Sequence, residues 1–82
     1  MKLVELNPHY GETDGIRTHV IFDCPRCQQH QITVPIPPHE KAWQVIGDSF
    51  ENLTLSPSID HDSPVMNCRW HGFITDGDIT TV

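Results

Sequence analysis

The chain has 82 residues, eleven acidic side chains against five basic ones and a net charge of −6. No apolar run approaches the roughly 18 residues that a membrane-spanning helix needs, and an acidic chain lacks the lysine and arginine stripe on which affinity for DNA or RNA rests. Membrane-spanning and nucleic-acid-binding roles are therefore set aside. The length allows one domain, residues 1–82, with a core thin enough to want a disulfide, a metal or a partner. The opening Met1-Lys2-Leu3-Val4-Glu5-Leu6-Asn7-Pro8 turns polar before a signal-peptide core can form, so a cytoplasmic, unprocessed protein is expected.

In chain order, Leu3–Leu6 reads as a short strand stopped by Asn7-Pro8, and Gly11–Gly15 as a turn-rich stretch. Ile16–Asp23 is β-branched and alternating, with Ile16, Thr18, Val20 and Phe22 on one face and Cys24 continuing it. His30–Ile36 alternates again and places His30, Ile32, Val34 and Ile36 together. The two form a hairpin around Cys24-Pro25-Arg26-Cys27, and Pro35 puts its second strand at a sheet edge. Pro37–Lys41 is a proline-led loop. Trp43–Ile46 is a further short strand, and Asp48-Ser49-Phe50-Glu51 has the spacing of a brief helix start. Leu53–Ile59 is extended and, lacking titratable side chains, reads as scaffold. Asp60–Pro64 is an exposed loop. Trp70–Thr75 and Asp78–Val82 form a hairpin around Asp76-Gly77. The fold class expected is mainly β: a small antiparallel, zinc-ribbon-like sheet with little helix, stapled by a metal. Trp43, Phe50, Trp70 and Phe73 are the expected core aromatics.

The chemistry lies in the cysteines. Three of them cannot all pair within one chain, and closely spaced thiols in a reducing compartment serve as metal ligands or redox groups. A redox C-x-x-C sits at a helix N-terminus, whereas strand sequence flanks Cys24 and Cys27 on both sides. Cys68-Arg69-Trp70-His71 supplies a second pair with the same spacing. Cys24, Cys27, Cys68 and His71 thus make a C-x-x-C…C-x-x-H set, the pattern of a structural Zn2+ site fed by two turns. His30, three residues after Cys27, is the alternative fourth ligand or a hydrogen-bonding neighbour of one. His9, His19, His39 and His61 are read as surface residues. Trp70, Arg69 and Arg26 could form a contact patch beside the metal.

Phe22–Cys27, Trp43, Leu53–Ile59 and Cys68–Ile79 resemble, in that order, a family of small bacterial and phage proteins. Its members carry C-P-x-C, then Trp, then T-x-x-P-S-[IL], then Cys and His before F-[IV]-x-x-G-x-I. The resemblance covers nearly the whole chain, roughly residues 20–80. It implies a metal-binding β domain of bacterial, phage or prophage origin, some of whose relatives are encoded beside bacterial ubiquitin-like conjugation genes. Many relatives place Cys directly before His, where this chain has Cys68-x-x-His71. A histidine commonly follows their second knuckle cysteine, and His30 is its counterpart. The "ammonia monooxygenase" label on some phage relatives would require a copper or di-iron ligand set that this chain lacks.

The function expected from these residues is a non-catalytic, zinc-stapled module that binds another protein, because four protein ligands close the metal to water and substrate. Two alternatives stand beside it. A three-ligand site would leave a water on the metal and support a zinc-dependent hydrolase. An iron-binding or Rieske-like electron carrier is the second; a Rieske centre needs two cysteines and two histidines, which a Cys-x-x-Cys pair fits poorly, whereas a single iron in the same cage stays open. The zinc-deaminase H-x-E, G-x-S-x-G, the P-loop and H-E-x-x-H are all absent.

Overall fold

A computed structural model describes all residues, Met1–Val82. Seven strands follow a single 3₁₀ turn, Leu3–Leu6: β1 (His9–Thr13), β2 (Ile16–Asp23), β3 (Gln31–Pro35), β4 (Gln44–Ile46), β5 (Thr54–Ser63), β6 (Cys68–Thr75) and β7 (Asp78–Thr81). They make two antiparallel sheets, β1-β2-β3 and β4-β5-β6-β7. The mainly β, antiparallel expectation is met, in the form of two sheets sharing one core.

Alternation decides which side chains fill that core. Val20 and Phe22 on β2 with Cys24 just past its end, and Ile32 and Val34 on β3 with Ile36 just past its end, are all buried, as the period of two requires. They face Leu55 and Ile59 of β5 and Cys68, Trp70 and Ile74 of β6 within one cluster. Phe22 meets the Trp70 ring edge-on, with centroids 6.2 Å apart. The Trp70 indole N–H donates to Thr81 Oγ1 at 3.0 Å, so its polar handle is satisfied at the rim of the core. Gly72 makes room for this packing: a Cβ there would run into Trp70 and the Thr80 carbonyl.

Four segments depart from the sequence expectations. Leu3–Leu6 is a 3₁₀ turn rather than a strand. The Lys2 N–H donates to Glu5 Oε2 at 2.7 Å, and the Leu3 N–H to the Gly77 carbonyl at 2.8 Å, which pins the turn beside β7. β1 takes in Gly11, Glu12 and Thr13, part of the stretch read as turn-rich. Asp14 and Gly15 both have positive φ, as do Asp76 and Gly77, so the Asp-Gly pair marks a two-residue hairpin at both places. Asp48–Glu51 forms turns and no helix. Here Asn52 Oδ1 accepts from the backbone N–H groups of Asp48 and Ser49, closing the segment as a side-chain-bonded turn. Finally, Asp60–Ser63 continues β5, because Asp60, His61, Asp62 and Ser63 pair with His71, Trp70, Arg69 and Cys68. The charged residues there alternate on a strand and do not make a loop.

β5 is interrupted once. Leu55 pairs with Ile74 and Ile59 with Gly72, so Ser56, Pro57 and Ser58 all stand against Phe73 alone. The stretch bulges, with a cis Ser56–Pro57 peptide. Bulges of this kind re-aim the side chains they carry.

Candidate functional site

Cys24, Cys27, His30 and Cys68 converge. Their ligand atoms all lie within 4.8 Å of one another, at the end of the core where β2 leaves and β6 enters. The knuckle closes by its own backbone. The Cys24 N–H donates to the His30 carbonyl at 2.8 Å and the Gln28 N–H to the Cys24 carbonyl at 2.9 Å, with Gln28 in the left-handed region. This brings His30 back beside Cys27, with Nδ1 3.1 Å from the Cys27 sulfur. Cys24 Sγ and Cys68 Sγ are 3.9 Å apart. That is far beyond a disulfide bond and close to the roughly 3.8 Å edge of a tetrahedron with 2.3 Å metal–sulfur bonds.

The electrostatics fit a ligand set. Burial of Cys68, followed by its contacts with the other two thiols, pushes its pKa up to about 11. Cys27 is pulled below the ordinary thiol value, chiefly by the Gln29 backbone N–H. A metal ion held by these sulfurs would have to displace their protons. His30 Nε2 is buried with no hydrogen-bond partner, and an orphaned polar atom at a thiol cluster calls for an explanation. The donors, spacing and burial together can hold a metal ion.

His71 lies elsewhere. Cys68, Trp70, Gly72 and Ile74 are buried on the inner face of β6, which turns Arg69, His71 and Phe73 to the outer face. A spacing of three puts Cys and His on one side of a turn but on opposite sides of a strand, and β6 begins at Cys68 itself. The fourth place in the cluster therefore belongs to His30. His61, expected at the surface, stacks on the His30 ring with centroids 5.2 Å apart, and burial lowers its pKa. Phe73, expected in the core, is 44% exposed.

On the outer face His71 meets Ser58, with Nε2 3.2 Å from Oγ. The pair is 13 residues apart in sequence and is brought together by the β5–β6 register and the bulge. Asp60, the direct cross-strand partner of His71, is held by Arg69, whose Nε and Nη2 donate to its two oxygens at 3.0 and 2.6 Å. These bonds hold the Asp60 carboxyl below the usual carboxylate range, with a smaller contribution from His71. Arg26 of the knuckle donates through Nη1 to the Arg69 carbonyl at 3.4 Å. The arginines of the expected contact patch therefore do meet, while Trp70 lies on the opposite, buried face.

A serine hydroxyl within reach of an imidazole nitrogen is the elementary nucleophile–base unit. Sequence reading missed it because Ser58 falls in a segment without titratable groups. Only a strand register pairing β5 with β6 could have disclosed it. The 250 Å³ pocket lined by Lys2, Val4, Glu51 and Gly77 contains neither residue of this pair and none of the cluster.

No curated protein and no solved structure matches the chain. Residues 3–82 match the family described as bacterial ubiquitination-like system serine protease, BubE, and over that span, nearly its whole length, the chain belongs to it.

Proposed function

We propose that this chain is a serine hydrolase of the peptidase type, acting on a protein substrate in a bacterial ubiquitin-like system, and that its cysteine cluster holds a structural zinc ion. The observation that carries the catalytic reading is the 3.2 Å approach of Ser58 Oγ to His71 Nε2, and the family's description as a serine protease supports it. The expected protein partner becomes the substrate, and the non-catalytic module gives way to an enzyme whose metal is not its catalyst.

Zinc is favoured by three thiols and an imidazole gathered in one cluster, the donor set of its tetrahedral structural sites. Cys24, Cys27, His30 and Cys68 would hold it, and it would supply folding free energy rather than a bound water. With four protein donors there is no open position, which disfavours the metal-hydrolase alternative. A Cys₃His set also lacks the second histidine of a Rieske centre.

In the hydrolytic cycle, Ser58 Oγ attacks the acyl carbon of the scissile bond while its proton passes to His71 Nε2. His71 then gives that proton to the departing amine as the C–N bond breaks, leaving an acyl group on Ser58. Water attacks the ester, loses a proton to His71 and releases the carboxylate as the proton returns to Ser58. A separation of 3.2 Å is in the range expected of a resting enzyme, whose catalytic hydrogen bonds tighten when substrate binds.

Incubation with a fluorophosphonate probe tests the reading. Intact-mass and peptide analysis should place one phosphonyl group on Ser58, and Ser58→Ala and His71→Ala should abolish it. A folded parent that remains unlabelled, or is labelled equally in Ser58→Ala, would overturn the assignment.

A further inference from the structure

Ser56, Pro57 and Ser58 face a single residue of β6, so the bulge cannot rely on the ladder to fix its backbone. On the other side, β4 reaches only as far as the Gln44–Ser56 pair. At Trp43 the chain turns away from β5, and the Trp43 N–H donates to the Pro35 carbonyl of β3 at 2.9 Å. The Trp43 side chain goes the opposite way. Its indole N–H lies 3.0 Å from the Pro57 carbonyl and 3.3 Å from the Ser58 carbonyl. One donor is thus shared between two consecutive carbonyls of the segment that carries the nucleophile.

We propose that Trp43 is a positioning residue for Ser58: anchored through its backbone to β3, it clamps the Pro57–Ser58 bulge with its indole N–H and so fixes the aim of Ser58 Oγ at His71. The inference rests on the Ser58–His71 reading and extends it to a residue whose indole bonds to the backbone carbonyls of Pro57 and Ser58. An indole nitrogen can only donate, so it cannot compete with His71 for the serine proton. It also adds no charge beside the site. Gripping the carbonyl of Ser58 itself restricts rotation of that peptide and hence the direction of the Cα–Cβ bond. The Oγ–Nε2 separation is already at the long end of the hydrogen-bond range, so little slack remains. A misplacement of about 1 Å costs on the order of 10²-fold in rate.

The test separates positioning from packing. Trp43 is replaced by β-(3-benzothienyl)alanine, which keeps the bicyclic shape and puts sulfur in place of the N–H, and in parallel by Trp43→Phe. The fluorophosphonate probe then gives a saturating inactivation rate, kinact, and a half-saturation constant, KI. The expected result in the benzothienyl protein is a 10- to 100-fold lower kinact, in line with about 1 Å of lost aim. KI should stay within twofold, with the zinc content and β-sheet circular dichroism of the parent. A purely structural role would lower the melting temperature and leave kinact of the folded fraction unchanged. That outcome, or a kinact within twofold of the parent, overturns the proposal while the catalytic pair stands. Should Trp43→Phe fail to fold, the isosteric variant decides alone. A parent that is not labelled at Ser58 overturns both readings.

Discussion

The two constellations differ in how the chain assembles them. The cluster on the inner side is made of rare residue types, two of them on one tight turn, with Cys24 and Cys68 buried and Cys27 and His30 half-buried. The pair on the outer side is made of a serine and a histidine on neighbouring strands, joined by register and a bulge. β6 serves both, sending Cys68 inward and His71 outward. One strand thus presents a cysteine to the inner cluster and a histidine to the outer face three residues apart. The inner region is the part on which folding should depend, and on the reading proposed above the outer region is the part that should react.

The largest effect expected is at the inner cluster. Structural zinc contributes on the order of 10 kcal/mol in small domains, as much as the whole stability of a typical one. Cys68→Ser should therefore lose both the metal and the fold, read by elemental analysis and circular dichroism. A Cys68→Ser protein that retains one zinc and melts like the parent would dissolve the distinction between the regions. Ser58→Ala should do the reverse: zinc content and melting temperature stay those of the parent, while labelling and hydrolysis fall by about 10³-fold or more.

The two histidines divide the regions further. His30→Ala should weaken zinc binding and lower the melting temperature. His71→Ala should keep one zinc per chain and lose labelling. If His71→Ala instead shed its metal, the outer face would be part of the metal centre.

That crossing of the histidines shows what the sequence could disclose. The hairpin carrying Cys24 and Cys27, its alternating core residues and the final Asp-Gly hairpin were all legible, because local alternation and turn chemistry dictate them. The grouping of the three sulfurs was legible from their number and their repeated two-residue spacing. The fourth donor hinged on whether Cys68–His71 spans a turn or a strand. A two-residue gap supports either reading, and only pairing with Asp60–Ser63 makes it a strand. Ser58 was invisible because serines are common and its partner lies across a ladder. β1 could have been found, since Asp14-Gly15 carries the same hairpin signal that was used at Asp76-Gly77. Glycine and proline nearby obscured it.

A smaller effect tests whether β6 transmits strain to both faces. A Cβ at Gly72 would collide with Trp70 and the Thr80 carbonyl. Gly72→Ala must displace the indole or β7, and overpacking of this kind costs about 1–3 kcal/mol. In a domain of this size each kcal/mol lowers the melting temperature by about 4–8 °C. The shift should appear with one zinc still bound and with slower labelling of Ser58, because His71 is the adjacent residue. Unchanged labelling in a destabilised protein would mean that the outer pair is insulated from the core.

The smallest effect concerns Arg69, the point at which the regions touch, since its carbonyl receives Arg26 and its guanidinium holds Asp60. Both partners are exposed, and such pairs contribute little and are screened by salt. The sign is nonetheless defined. Asp60 has a folded-state pKa below its ordinary 3.8, so the pair stabilises above that value and its contribution disappears as pH falls through the lower, folded one. Arg69→Gln should therefore melt slightly below the parent at neutral pH, with the gap closing in acid and at high salt. A gap that persists in acid would mean that Arg69 acts through its packing between the knuckle and the catalytic face, and that its charge is incidental.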